Sequence, residues 1–426
     1  MPTQRKMRSL HLNIPQSFNN PILSHFTFTT MASVLACIVA LLCVKRGKAS
    51  PTTNTRSCVE IEVPVSIDTT AIKWLQPRVD SNVDAVDWVT YQTTWTSPNM
   101  TDSMNGTITV KQTFKINGQL CVPPNGSSRS GILQLASHGG GFDKRYWDAE
   151  VKSKEYSYVD AALAEGYSIL TYDRLGTGRS DKPNAYDVIQ LNVQVEILRQ
   201  LTSLARSGKL VSASKRLSGS RDDRLAKYKP SKIVHVGHSL GSILSVGLIT
   251  KYPTESDGIV ATGFLHTNIP LPGLNVATWG FEFARQNNHV LFKDHGSGFL
   301  VQATKSNVQL SFLKKGSFEP ALLDYAWKIR QPIAVGEFKS LLTAFGTKGA
   351  KFKGPVHLVI GENDYGNCGG DCKGTYDLNM IKTQIYPAAK DVAVHIQPKT
   401  GHGLTLSTNA TAGYKASFDF LHKSGL

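Results

Sequence analysis

A serine hydroxyl becomes a useful nucleophile only when a base takes its proton and a third group holds that base in place. Residues able to meet all three needs occur in one order along this chain of 426 residues. Ser239 lies in Gly237-His238-Ser239-Leu240-Gly241, between an apolar run at 233–236 and a helical stretch at 242–250. So sharp a strand-to-helix reversal needs small residues at 237 and 241, where a side chain would meet neighbouring backbone. The turn lifts the Ser239 hydroxyl clear of the sheet and aims the unpaired N–H groups of the helix N-terminus at a substrate. Further on, the apolar run 356–360 leads into Gly361-Glu362-Asn363-Asp364, and 392–396 is followed by Thr400-Gly401-His402-Gly403. Asp364, a few residues into its loop, is the expected acid, with Glu362 the rival nearer the strand end. His402, set between two glycines, is the expected base, and His395, on a strand, is expected to be structural. A tetrahedral intermediate also needs preset N–H donors for its oxygen, each worth about 2.7–4 kcal/mol in such sites. Leu240 offers one. The second is expected from Ser137-His138-Gly139-Gly140-Gly141-Phe142, with Gly140 the first choice, Gly141 the next, and His138 a brace for the loop.

The elements that must position these groups alternate. Short apolar runs at 131–137 and 168–172 flank a helical stretch at 156–165, and a longer helix spans 188–204. Strands at 259–266, 356–360 and 392–396 and a closing helix at 414–422 complete the series. Strand, helix, strand in that order predicts a parallel sheet with right-handed crossovers. Residues 106–121 and 88–95 alternate apolar with polar positions, as antiparallel strands with one wet face do, and 50–86 reads as an irregular extension. Residues 267–354 break the alternation with many aromatics and with Pro270, Pro272, Pro320 and Pro332. That stretch is expected to be a helical cap, its aromatics lining an apolar pocket, although any one of them alone is more at home in the cap's own core.

Taken together, His138-Gly139-Gly140-Gly141, Asp173-Arg174-Leu175-Gly176-Thr177-Gly178-Arg179-Ser180, Gly237-His238-Ser239-Leu240-Gly241, Gly361-Glu362-Asn363-Asp364 and Gly401-His402-Gly403 resemble the α/β-hydrolase superfamily, from about residue 131 to the C-terminus. The resemblance implies an α/β fold with a mostly parallel central sheet flanked by helices and a cap insertion. It also implies that the run Asp173 to Ser180 is a packing and turn element outside the site, and that no cofactor is needed. The organisation expected is a leader at 1–49, an extension with the first antiparallel strands at 50–130, core halves at 131–266 and 355–426, and the cap at 267–354 between them.

The net charge of +15 is local. Six positive charges precede residue 50 and seven net lie within 206–232, so the body of the chain is nearly neutral and nucleic acid is not an expected partner. The basic stretch reads as a solvated insertion. The apolar run at 33–44, about 12 residues, suits a signal-peptide core and falls short of the ~20 that span a bilayer. Cleavage after Ala49 is expected, with an uncleaved anchor in contact with a membrane as the alternative and either Met1 or Met31 as the start. Cys58, Cys121, Cys368 and Cys372 allow three pairings; Cys58–Cys121 and Cys368–Cys372 are favoured, and as a zinc set these four are poor. Asn99, Asn105, Asn125 and Asn409 head glycosylation signals. A leader, paired cysteines and glycan acceptors on such a core are similar to secreted fungal serine esterases and lipase-like enzymes.

The expected activity is therefore a secreted serine hydrolase acting on a small-molecule or lipid ester. An acyltransferase or cyclase using the same acyl-enzyme, and a non-catalytic binding protein, are the alternatives. Substrate and oligomeric state are not legible in the sequence.

Overall fold

The computed structural model describes residues 56–94, 103–267, 276–341, 343 and 347–426. The expected leader, Asn99, Pro270, Pro272 and Phe345 lie outside the described residues. Nine strands form the main sheet: β1 (Ser57–Trp74), β2 (Met104–Val122), β3 (Ile132–Ser137), β4 (Ser168–Tyr172), β5 (Lys215–Gly219), β6 (Lys232–His238) and β7 (Gly258–Thr262), joined after the cap by two more. Within the cap, β8 (Phe281–Phe283), β9 (Phe299–Gln302) and β10 (Ile333–Ala334) make a small antiparallel sheet of their own. β11 (Val356–Gly361) and β12 (Val392–Gln397) then complete the main sheet in the order β12-β11-β7-β6-β3-β4-β2-β1-β5. The six strands from β12 to β4 run parallel, and β2, β1 and β5 add antiparallel neighbours at one edge.

Both faces of the parallel part are covered, so its strands read as unbroken apolar runs. The principal helices are α1 (Asn82–Thr93), α2 (Tyr158–Ala164), α3 (Leu191–Arg206), α4 (Leu240–Lys251), α5 (Lys305–Phe312), α6 (Pro320–Ile329), α7 (Val335–Leu341) and α8 (Ala410–Lys423). Ile233 and Leu135 share a cluster with Leu198 of α3 and Leu244 of α4, while Val234 and Val236 point the other way, into a cluster with Val159 of α2 and Leu421 of α8. The period-2 alternation of β6 thus ties the sheet to helices on both sides.

Three expectations are corrected. Residues 57–74 are a strand, not an irregular extension: Val59, Ile61, Val63, Val65 and Ile67 alternate into the core and pair with β2 along nearly the whole length. Pro64 and the threonines disguise that period. The proline is tolerated because β1 has left β5 at Glu62, so the missing N–H breaks no second ladder. Residues 88–93 are helix, not strand. Ser81 accepts the Asp84 N–H as an N-cap, and Ala85 and Trp88 bury one face of α1 a turn apart. The cap is not all helical, since β8, β9 and β10 lie within it. The basic stretch, finally, carries the edge strand β5, whose Lys215 and Arg216 are exposed. Charges on an edge discourage pairing with another chain.

Candidate active site

β6 ends at His238 and α4 begins at Leu240, so Ser239 alone reverses the chain, at φ 53° and ψ −117°. A non-glycine residue held in such a region costs of order 1–3 kcal/mol, which the surroundings must over-determine. They do. The Ser239 N–H donates to Thr262 O at 2.8 Å, and Ser242 and Ile243 donate to Ser239 O at 2.9 and 3.1 Å. A Cβ at Gly237 would lie 2.4 Å from Ser242 Cα, and one at Gly241 only 2.0 Å from Ser137 O. Both glycines are steric requirements of the elbow. Leu240, first in α4, has no intrahelical acceptor for its N–H, which is the donor the sequence assigned to it.

Asp364 follows β11, which pairs in parallel with β7, and His402 follows β12, the edge strand parallel to β11. His402 Nδ1 meets Asp364 Oδ2 at 2.6 Å, with the carboxylate fully buried and the imidazole 6% exposed. Asn367, which sequence reasoning missed, completes the cradle. Its backbone N–H donates to Asp364 Oδ1 at 2.9 Å, and its Nδ2 donates to Asp364 Oδ2 at 3.0 Å and to Gly263 O at 2.9 Å. The Asp-x-x-Asn spacing of an N-cap was the available signal. Glu362 is occupied elsewhere, accepting from Lys399 N–H at 2.7 Å and pairing with Lys373. His395 sits half-buried on β12, its ring 6.4 Å from that of His357. Cys368 and Cys372 stand at disulfide distance just beyond the acid, and Cys58 faces Cys121 across the β1–β2 ladder in the same relation.

The strand ends converge. A Cβ at Gly139 would lie 3.1 Å from Ser239 Cβ, and one at Gly263 would lie 3.2 Å from His402 Cε1. The rings of His238 and His402 are 5.0 Å apart. Burial, with His402 beside it, holds His238 well below the usual histidine range, so it adds no positive charge next to the imidazole. Tyr146 stacks on His238 at 4.4 Å and Phe312 stacks on His402 at 5.7 Å. A cleft of about 210 Å³ opens beside this wall between the 309–315 segment of the cap and the acid loop, with His402 in its lining.

The glycine loop lies against Ser239 as expected. A Cβ at Gly140 would strike Ile333 Cδ1 at 2.8 Å, and one at Gly141 would touch Trp279 and Phe312, so the cap packs directly on it. His138 braces the loop. Its Nε2 accepts the Arg174 N–H at 3.0 Å, which leaves the proton on Nδ1 to be donated to Gly139 O at 2.8 Å. Burial and the Arg174 charge keep this imidazole neutral, well below its usual pKa. Asp173 and Ser180 are structural: Asp173 accepts from Lys144 and Arg179 N–H, and Ser180 Oγ donates to Asp173 O at 2.6 Å. Among the glycan signals, Asn105 and Asn125 are exposed. Asn409 instead spends its carboxamide nitrogen on Pro398 O at 2.7 Å and its oxygen on Thr400 and Gln397, clamping the loop that carries His402. Among the described residues no group of His, Cys, Asp and Glu could hold a metal, and no helix is long and apolar enough to cross a membrane.

A strand-to-helix elbow on a mostly parallel sheet, with an acid and a histidine following later strands in that order, defines the class. The model of the alpha/beta hydrolase family matches residues 135–412, and the chain belongs to that family. Solved structures similar to it include a carboxylesterase from Nitrososphaera gargenis, 14% identical over 73% of this chain and 96% of the other, with a TM-score of 0.46. An esterase from Exiguobacterium antarcticum is 12% identical over 72% and 96%, with a TM-score of 0.48. A thermophilic esterase from Thermogutta terrifontis is 13% identical over 82% and 98%, with a TM-score of 0.43. No curated protein matches the sequence.

Proposed function

We propose that this protein is a serine hydrolase that cleaves carboxylic esters through an acyl-enzyme on Ser239, with His402 as base and Asp364 as its orienting acid. The observation that carries the reading is the buried 2.6 Å contact between His402 Nδ1 and Asp364 beneath a serine elbow. With Nδ1–H committed to the carboxylate, the lone pair is on Nε2, the nitrogen left to take the Ser239 proton. Ser239 Oγ attacks the ester carbonyl, and His402 returns the proton to the departing alcohol oxygen. Water, deprotonated by the same nitrogen, then releases the acid. Leu240 N–H and an N–H of the glycine loop receive the oxyanion.

Export from the cell belongs to the same proposal, supported by the two cysteine pairs at disulfide distance and by exposed Asn105 and Asn125. The test is hydrolysis of p-nitrophenyl esters from acetate to palmitate by protein collected from the culture medium, beside Ser239→Ala, with a fluorophosphonate probe. Turnover abolished in the variant and labelling confined to Ser239 are expected. Labelling without turnover on any ester would favour acyl transfer to another acceptor, and no labelling would leave a binding protein.

A further inference from the structure

We propose that Glu337, in the cap, is a positioning residue for the oxyanion donor at Gly140, acting through Arg174. The inference rests on the serine-hydrolase reading above. A trans peptide is planar, so fixing the direction of one carbonyl fixes the opposite direction of the next N–H. The Gly139 carbonyl is held by two donors, His138 Nδ1–H at 2.8 Å and Arg174 Nη2 at 3.3 Å. The Gly139–Gly140 plane is thereby set, and with it the Gly140 N–H. Gly139 itself packs against Ser239, so this is the amide beside the nucleophile.

Both donors depend on Arg174. Its backbone N–H fixes the His138 tautomer, and its guanidinium reaches Gly139 O directly. The side chain is 1% exposed, so its charge needs a buried partner, and Glu337 of α7 supplies it. The Glu337 carboxylate takes Arg174 Nη1 and, at 2.5 Å, Gln194 Nε2 of α3, which also binds Arg174 Nη1 through its Oε1 at 2.7 Å. Four residues upstream of α7 the same strap adds a second hold. Gln331 N–H donates to Gly141 O at 2.8 Å, while its side chain bonds Asp143 and Gly178 N–H at 3.2 and 3.0 Å. The cap is therefore part of the machinery that orients the loop and not only its roof. This also separates the two candidate donors: the plane preceding Gly140 is pinned at its carbonyl by side chains, whereas Gly141 N–H belongs to the Gly140–Gly141 plane, which these contacts do not fix.

The experiment compares wild type with Glu337→Gln and with the double replacement Arg174→Met/Glu337→Met, which removes the buried pair without stranding a charge and keeps the protein foldable if the single variant is not. Three quantities are read on p-nitrophenyl butyrate and its analogues: kcat, KM, and the affinities for an alkyl boronic acid, which forms a tetrahedral adduct on Ser239, and for a planar amide analogue, which does not. A kcat lower by about 10-fold or more, unchanged KM, boronate binding weakened by the same factor and amide binding unchanged are expected, since a misaimed donor is lost only from the tetrahedral state. Wild-type kcat in the double variant overturns the proposal, and so does equal weakening of boronate and amide, which marks general distortion. A wild type that neither turns over esters nor reacts with a fluorophosphonate overturns the hydrolase reading instead, and this inference with it.

Discussion

Replacing Asp364 by Asn changes a single oxygen to nitrogen, yet its surroundings leave the new amide no good orientation. The carboxylate accepts three donors, Asn367 N–H on Oδ1 and both Asn367 Nδ2 and His402 Nδ1 on Oδ2. If the Asn oxygen faces His402, its NH₂ meets the half-buried Asn367 N–H donor to donor and leaves that amide unsatisfied, at about 1 kcal/mol. If it is reversed, the NH₂ faces Nδ1, which must then accept, and the imidazole proton moves to Nε2. That tautomer cannot take a proton from Ser239. The second arrangement is the cheaper, because an imidazole changes tautomer at little cost. Loss of the correct tautomer and of the buried negative charge amounts to about 10⁴-fold in kcat, near 5.4 kcal/mol at about 1.36 kcal/mol per decade. The assay is kcat for p-nitrophenyl butyrate at neutral pH, with circular dichroism and thermal unfolding to show that the variant keeps the wild-type fold. A folded Asp364→Asn enzyme within about tenfold of wild type would refute the assignment and return Glu362 to consideration.

Two further predictions concern stability. Opening Cys58–Cys121 as the paired serine variant releases a closed loop of 63 residues and should lower the unfolding free energy by about 4 kcal/mol in urea titration, whereas the four-residue Cys368–Cys372 loop should contribute under half of that. Burial pushes His235, held between Thr202 and Ser256, down to about 3, so the unfolded chain binds the proton first as pH falls below about 6.5. The folded state therefore loses stability as the medium is acidified from 6.5 towards 3. Between pH 7 and 5 wild type should lose about 2 kcal/mol more than His235→Gln, measured as urea unfolding at each pH; parallel losses would show that His235 titrates normally.

Much of the site is legible in the sequence because its chemistry is written in local motifs. The elbow glycines, His402 between glycines and the parallel course of β6, β7, β11 and β12 follow from spacing and apolar runs alone, whereas their order in the sheet does not. The same is true of His138, whose adjacency to the glycine loop already suggested a brace. Residues 57–74 and 82–93 were misread because local signals conflict there: Pro64 interrupts a true strand, and β-branched and aromatic residues disguise a helix that only the Ser81 cap betrays. Tertiary structure alone decided the rest. Asn367 is an ordinary polar residue until the turn after β11 folds it back on Asp364. Glu337 lies 163 positions from Arg174, and no periodicity relates a cap carboxylate to a guanidinium behind the glycine loop. Sequence patterns record what a residue needs from its immediate neighbours along the chain; a buried charge needs whichever partner the fold carries to it, and that pairing exists only once α7 has docked.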